Sequence, residues 1–122
     1  ELHRLKRAVY RAAKPRDIAM FQLLSSAGLR VGELCALRVG DVSLSERKGK
    51  VIVRRGKGNK YREVPLNVET RKALVAYLST RPGAGPEEPL LLGQRGAMTP
   101  SGVWRALQSY ARESGVAVSL TC

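Results

Sequence analysis

The 122-residue sequence predicts a single α+β domain that is mainly helical and carries one small antiparallel β-sheet. Two observations lead to this fold class. Apolar residues recur every three or four positions over several separate stretches, which is the spacing of amphipathic helices. Residues 50–66 change to strand-like patterning around a Gly-Lys-Gly-Asn-Lys turn, which is typical of a β-hairpin. Because so small a sheet cannot bury a core alone, we expect the helices to form the core.

The first third of the chain predicts three helices. Residues 1–13 read as a short basic helix, which Lys14 and Pro15 interrupt. Arg16 and Asp17 open a second helix, and Gly28 is expected to end it in a left-handed conformation. The apolar positions of this second helix are Ile18, Phe21, Leu24 and Ala27. The third helix is expected from Val31 to about Leu37, burying Val31, Leu34 and either Cys35 or Leu37.

The middle of the chain predicts the sheet. The expected hairpin strands are 50–55 and 61–66, and residues 56–60 supply the turn. A short stretch at Val42–Leu44 is a candidate third strand.

Helical spacing returns in the last part of the chain. Residues 68–80 predict a helix with apolar positions at Val68, Leu74, Val75 and Leu78. The Pro- and Gly-rich residues 81–89 predict a surface loop. Thr99 is the expected N-cap of a last helix that ends near Glu113 and is closed by Gly115. The residues expected to be buried in it are Val103, Trp104, Leu107 and either Tyr110 or Ala111.

The charge balance favours a polyanionic partner. The chain has 22 Lys and Arg against 10 Asp and Glu, a formal net charge of +12. Cations that neutralise phosphates release condensed counterions, so such an excess is typical of proteins that bind nucleic acid. A solvated basic surface or an acidic membrane also fits the charge, and the charge does not distinguish an enzyme from a passive binder.

Several kinds of site are excluded by the sequence. Cys35 and Cys122 lie far apart, and His3 is the single histidine, which argues against a standard zinc site or a disulfide framework. No nucleotide P-loop and no acidic cluster for two-metal chemistry is present. No stretch is long and apolar enough to span a membrane, and the few thiols fit a reducing cytoplasm.

Arg30 is the first candidate for chemistry. It follows a helix-ending glycine and stands at the start of the predicted third helix. A guanidinium there lies beside free backbone N–H groups and the positive end of the helix dipole, which suits phosphate oxygens. The alternative is a capping arginine that pairs with Glu33 one turn further on.

Lys57 is the second candidate. It lies at the predicted hairpin tip between two glycines, where its ammonium could donate a proton to a leaving oxygen. The alternative is a basic turn that keeps the edge of the sheet soluble.

The order of these motifs is more informative than either residue alone. A Gly-Leu-Arg-x-x-Glu-Leu motif, a linker with Asp, the basic hairpin and a Val-Pro-Leu strand follow one another. This order resembles the catalytic domain of the tyrosine recombinases, the phage-integrase family, with the Xer-type members nearest in appearance. The residues that carry the resemblance are Gly28, Leu29, Arg30, Glu33, Leu34, Asp41, Gly56, Lys57, Gly58, Asn59, Lys60, Val64, Pro65 and Leu66.

The resemblance implies site-specific DNA recombination through a 3′-phosphotyrosyl intermediate. It transfers the first catalytic arginine of the family to Arg30, which would neutralise the non-bridging oxygens in the transition state. It transfers the hairpin lysine to Lys57, which would protonate the departing 5′-oxygen. The partner it implies is double-stranded DNA, bound by a tetramer of the complete protein, and no metal, ATP or other cofactor is implied.

Residues outside these two are expected to bind the DNA. The helix at 99–113 falls where the family has a helix that meets DNA. The residues expected to contact DNA are Arg54, Arg55, Lys60 and Arg62 on the hairpin, and Thr99, Ser101 and Arg105 on that helix.

The family continues with a His-x-x-Arg motif, a further His or Trp, and the nucleophilic tyrosine. Here the sequence reaches Cys122 about where that motif should begin. We therefore expect the 122 residues to bind DNA without cleaving it, and to self-associate through apolar surface. The tyrosines are interpreted as packing residues at Tyr10, Tyr77 and Tyr110 and as a strand residue at Tyr61.

Two other functions stay open at this point. A basic DNA-binding module without chemistry, or a degenerate recombinase relative, would have the same charge and motifs. An RNA-binding or ribosomal protein would also explain the charge, but it gives no reason for Arg30 and Lys57 to occur in this order.

Overall fold

The computed structural model describes residues 2–54 and 61–115, and it confirms the predicted fold class. The helices are α1 (Leu2–Ala12), α2 (Pro15–Ser25), α3 (Val31–Ala36), α4 (Val68–Leu78) and α5 (Pro100–Ser114). A three-residue 3-10 turn at Val39–Asp41 leads from α3 into the sheet.

The main sheet has three antiparallel strands in the order β1-β2-β3. They are β1 (Val42–Leu44), β2 (Gly49–Arg54) and β3 (Tyr61–Pro65). The predicted hairpin strands and the candidate third strand are therefore confirmed, whereas the hairpin turn at 56–60 lies outside the described residues. A second small hairpin, β4 (Leu92–Gly93) with β5 (Gly96–Ala97), was not predicted.

The helix ends follow local rules. The Thr99 hydroxyl accepts a hydrogen bond from the Gly102 backbone N–H at 3.1 Å, so the predicted N-cap of α5 is confirmed. Gly115 has a φ of +74° and closes this helix. Gly28 has a φ of +71° as expected, but α2 itself ends earlier, at Ser25. Gly28 therefore turns the chain between α2 and α3.

Two apolar clusters form the core. The main cluster joins α2, α3 and α4 to the sheet and to α5, and its fully buried members include Met20, Leu23, Leu34, Leu74 and Val103. The smaller cluster holds α1 against α2 and α5 through Leu5, Ala8, Val9, Phe21, Tyr110 and Ala111. None of the described helices is long and apolar enough to cross a membrane.

Three residues at apolar positions of the predicted helices are exposed, among them Trp104, which was expected to be buried. Val68 and Val75 on α4 are 53% and 54% exposed, and Trp104 on α5 is 41% exposed. The buried face of α4 consists of Thr70, Ala73, Leu74 and Tyr77. Because each helical residue rotates about 100°, Val68 and Val75 then lie on the opposite side.

Candidate functional site

Arg30 stands at the N-cap of α3 with an exposed side chain. Its backbone is extended, and its backbone N–H donates to Oε1 of Glu33 at 3.0 Å. The buried neighbours Leu29 and Val31 anchor the backbone on either side. Among the described residues, no side chain forms an ion pair or hydrogen bond with the Arg30 guanidinium. The anchored backbone therefore presents an unpaired cation to solvent.

Glu33 pairs with Arg62 rather than with the side chain of Arg30. Nη1 and Nη2 of Arg62 donate to Oε2 and Oε1 of Glu33 at 2.6 and 3.0 Å. The hydrogen bond from Arg62 is the main cause that lowers the pKa of Glu33 to about 2, helped by the Arg30 backbone N–H. Burial of the carboxyl opposes this shift. The alternative interpretation, a capping arginine that pairs with Glu33, is therefore confirmed for the Arg30 backbone N–H, whereas the guanidinium that pairs with Glu33 is that of Arg62.

This pair brings the hairpin to the start of α3. Arg62 lies on β3 opposite the buried Val53 of β2, on the face of the sheet that packs against the core. The sequence proposed Arg62 as a DNA contact, but its guanidinium is held by a carboxylate 29 positions earlier in the chain. The contact joins β3 to the segment that carries Arg30.

Arg54 is also paired. It donates to Oδ1 of Asp41, and Oδ2 of the same buried carboxylate accepts the Arg38 backbone N–H at 2.9 Å. The side chain of Arg54 nevertheless remains 57% exposed. Asp41 therefore anchors the end of β2, while part of the Arg54 guanidinium stays accessible.

The hairpin tip lies outside the described residues. Arg55, Lys57 and Lys60 belong to this segment. Their proposed roles stay predictions.

A second basic surface lies at the N-terminus of α5. A groove of about 650 Å³ is bordered by Arg16, Arg95, Thr99 and Arg105. Arg16 is tied to Asp17 and to the Leu92 carbonyl oxygen, whereas neither Arg95 nor Arg105 pairs with any described residue. The positive end of the α5 dipole adds to the potential in this groove. Its charge suits a polyanion.

The three residues predicted on this helix have different environments. Thr99 caps the helix, as described, and also borders the groove. Arg105 borders the groove, and its guanidinium has no partner among the described residues. Ser101 is exposed in the first turn of α5. Arg16 and Arg95 were missed by the sequence reasoning. Arg95 lies in the turn of the β4–β5 hairpin, which was not predicted although Gly93 and Gly96 flank that turn, and Arg16 reaches the groove through its hydrogen bond to the Leu92 carbonyl oxygen.

The Phage integrase family model matches residues 1–121 of this chain. The chain belongs to the phage integrase family. It is 36% identical over 107 residues to the tyrosine recombinase XerC of Haemophilus ducreyi. This match covers 86% of the chain but 34% of the relative, so the chain spans about a third of the length of that curated relative.

Solved structures of the family have the same fold. The crystal structure of XerA recombinase superposes with a TM-score of 0.82 at 32% identity, over 98% of this chain and 42% of the other. The XerH site-specific recombinase bound to its difH substrate superposes with a TM-score of 0.77 at 18% identity. That alignment covers 98% of this chain and 36% of XerH. The family resemblance read from the motifs is thus confirmed.

The relatives are named tyrosine recombinases, and the four tyrosines of this domain are all described. Tyr110 is buried and donates to Oδ2 of Asp17, and Tyr77 is buried beneath Arg81. Tyr10 donates to Oε2 of Glu69 at 3.2 Å and accepts from the Gln22 amide at 2.9 Å. Tyr61 is 62% exposed on β3. Tyr10, Tyr77 and Tyr110 therefore have packing contacts, as the sequence predicted.

The described part of this phage-integrase domain contains no group of three His, Cys, Asp or Glu side chains that could hold a metal ion. The acidic residues nearest Arg30 and Arg54 are Glu33 and Asp41, and both hold arginines. Their chemistry is therefore that of structural counter-ions.

Proposed function

We propose that the protein containing this domain performs site-specific DNA recombination, and that the domain binds duplex DNA and presents Arg30 and Lys57 to the scissile phosphate. The observation that carries this proposal is the exposed Arg30 guanidinium at the start of α3, which has no partner among residues 2–54 and 61–115 and lies beside a Glu33 carboxylate that is hydrogen-bonded to Arg62. Because the Glu33 carboxylate is hydrogen-bonded to Arg62, the Arg30 guanidinium is available for a phosphate.

The proposed chemistry is an in-line exchange at phosphorus. The hydroxyl oxygen of a tyrosine bonds to phosphorus and loses its proton to solvent water, while the bond from phosphorus to the 5′-oxygen breaks. Arg30 neutralises the non-bridging oxygens as their charge develops, and Lys57 gives the departing 5′-oxygen its proton. The 3′-phosphotyrosyl bond retains the energy of the broken bond, so rejoining requires no nucleotide cofactor.

The proposed DNA surface combines the hairpin and the groove at α5. Its members are Arg54, Arg55, Lys60, Arg62, Thr99, Ser101 and Arg105. The net charge of +12 and the free cations at the groove support this assignment. XerH was solved bound to its difH substrate and lambda integrase was solved bound to DNA, which supports DNA as the partner. We also propose that the complete protein acts in the cytoplasm as a tetramer on DNA.

The 122 residues alone are proposed to bind DNA without cleaving it. Three of the four tyrosines are engaged in packing or hydrogen bonds, so they are poor candidates for the nucleophile. Tyr61 is exposed, and it provides the internal check. A nicked suicide substrate followed by denaturing electrophoresis should give no covalent adduct with this chain, and an adduct mapped to Tyr61 would contradict the proposal.

The test of Arg30 is the Arg30→Ala variant in a polypeptide that extends through the family's tyrosine. Cleavage of the suicide substrate should slow by about a hundredfold or more, with DNA affinity changed much less. Arg38→Ala is the matched control, because Arg38 is also exposed and lies just after α3. Equal slowing of cleavage in both variants would mean that Arg30 contributes only its positive charge to DNA binding and has no specific role in the chemical step.

The test of Lys57 separates proton donation from charge. A substrate with sulfur at the 5′-bridging position has a better leaving group and needs no general acid. It should restore cleavage by Lys57→Ala and leave Arg30→Ala defective. Equal rescue of both variants would remove Lys57 from the proton-donor role.

The competing function is a DNA-binding module without chemistry. It is supported by the same charge and groove, and it makes the opposite prediction in this assay. If the extended protein forms no adduct while binding the duplex tightly, the non-catalytic function is the correct one.

A further inference from the structure

Helix α1 has a row of cations along one side. Arg4, Arg7 and Arg11 are all exposed, and they are spaced by three and four residues, so they share one face of the helix. Lys14 follows just beyond the end of the helix and is also exposed. We refer to Arg4, Arg7, Arg11 and Lys14 as the α1 basic row.

The remaining faces of α1 are fixed by contacts. Leu5, Ala8 and Val9 pack into the smaller apolar cluster. On another side, Nζ of Lys6 donates to Oε1 of Glu69 on α4 at 2.9 Å. These contacts set the rotation of the helix, so the α1 basic row faces away from the protein.

The α1 basic row has no counter-ions in the described part of the chain. None of its four cations forms an ion pair or hydrogen bond there, whereas Arg54 and Arg62 on the hairpin are both held by carboxylates. Like charges at these helical spacings repel one another. The positive charge of the α1 basic row is therefore less neutralised by protein carboxylates than the charge of Arg54 and Arg62 on the hairpin.

The α1 basic row also continues towards the groove at α5. Lys14 is two residues before Arg16, which borders that groove. Arg4 and Arg11 are separated by about 10 Å along the helix axis, at 1.5 Å per residue. One strand of duplex DNA has one phosphate per about 3.4 Å of rise along the duplex axis, so a row aligned with that axis spans about three phosphates.

We propose that the α1 basic row contacts the phosphate backbone of the same duplex DNA that occupies the groove at α5. This inference rests on the proposed DNA-binding function and adds a separate surface to it. Guanidinium groups on a helix surface bind phosphates without reading bases, so the row fixes the position of the duplex rather than its sequence.

The test compares two triple variants of the 122-residue chain on a mixed-sequence duplex. The first replaces Arg4, Arg7 and Arg11 by Gln. The second removes the same charge from exposed cations elsewhere, as R47Q, K48Q and K72Q. The slope of log K against log salt should become shallower by about 1 for each phosphate that the protein no longer neutralises, so by about 3 in the first variant. The control should retain the slope of the wild type.

Each other outcome has a definite meaning. A wild type with a steep slope and a first variant with the same slope would overturn the α1 contact and leave the proposed DNA-binding function intact. A wild type without salt-dependent binding would overturn that function itself. A third variant, R4K, R7K and R11K, keeps the charge and should keep the slope, and a shallower slope in it would also contradict the proposal. Far-UV circular dichroism and urea unfolding establish that the variants are folded.

Discussion

The two carboxylate oxygens of Glu33 accept hydrogen bonds from Nη1 and Nη2 of Arg62, at 2.6 and 3.0 Å. One of these oxygens, Oε1, also accepts a hydrogen bond from the Arg30 backbone N–H. One side chain thereby fixes the hairpin to the start of α3. This arrangement leaves the Arg30 guanidinium without a partner among the described residues. The pairing of Arg62 is thus part of what keeps Arg30 available for a phosphate.

Acid should weaken the contact between Glu33 and Arg62. The folded-state pKa of Glu33 is lowered to about 2, chiefly by Arg62. Its stabilisation is therefore present above the unfolded-state pKa of about 4.3, and it is lost as the pH falls from there through about 2. Glu33→Gln should lower the free energy of unfolding by about 1–2 kcal/mol at neutral pH, allowing for solvent screening of the partly exposed Arg62. Urea unfolding should show this difference shrinking in acid, and a difference independent of pH would contradict it.

Arg54→Ala should destabilise the domain even without DNA. It leaves the buried Asp41 carboxylate without its guanidinium, at a cost of about 1–3 kcal/mol. Lys50→Ala is the matched control on the same strand, because Lys50 and Glu63 form an exposed pair at 2.9 Å. The control should change the unfolding free energy by less than about 0.5 kcal/mol. Equal effects in urea titrations would mean that Asp41 does not depend on Arg54.

Substitutions on the exposed face of α5 should alter sequence preference. Arg105→Ala and Ser101→Ala remove groups near the start of the helix, where base edges would be reached. Arg95→Ala should weaken binding to all duplexes alike, since Arg95 borders the groove from the β4–β5 turn and not from α5. Competition binding among different duplexes measures these changes in sequence preference and affinity.

Thr99→Ala should lower the free energy of unfolding by about 1 kcal/mol, because it removes the N-cap of α5.

Alkaline pH should remove the contribution of the Tyr110 hydroxyl. Burial, and then the hydrogen bond to Asp17, raise the pKa of Tyr110 above its usual value. The stabilisation is therefore complete below the unfolded-state pKa of about 10 and is lost as the pH rises above it. Tyr110→Phe should cost about 1–2 kcal/mol at neutral pH and progressively less in alkali. Tyr61→Phe, at an exposed position, is the control and should change the free energy of unfolding by less than about 0.5 kcal/mol at neutral pH.

The sequence predicted the fold where the signal is local. The N-cap at Thr99, the left-handed Gly115 and the strand pattern of 50–54 each follow from a few adjacent residues. The motif around Arg30 also indicated the family, because its residue order is specific.

The features that the sequence did not predict depend on contacts between residues that are distant in the chain. The sequence did not reveal that the Glu33 carboxylate would pair with the guanidinium of Arg62 and not with that of Arg30, since this pairing depends on where β3 packs. It also placed Trp104 in the core, although the packing direction of α5 leaves this indole 41% exposed. Helical spacing defines faces, but only tertiary packing selects which face is buried.

The division of the core into two clusters has a consequence for how the domain opens. Helix α1 is held by the smaller cluster and by a few polar contacts, while the sheet and the other helices share the larger one. The free energy of local unfolding is therefore expected to be lower for α1 than for the domain as a whole. DNA bound along α1 would stabilise the folded helix, so the local unfolding free energy of α1 would rise with the fraction of protein that is bound to DNA.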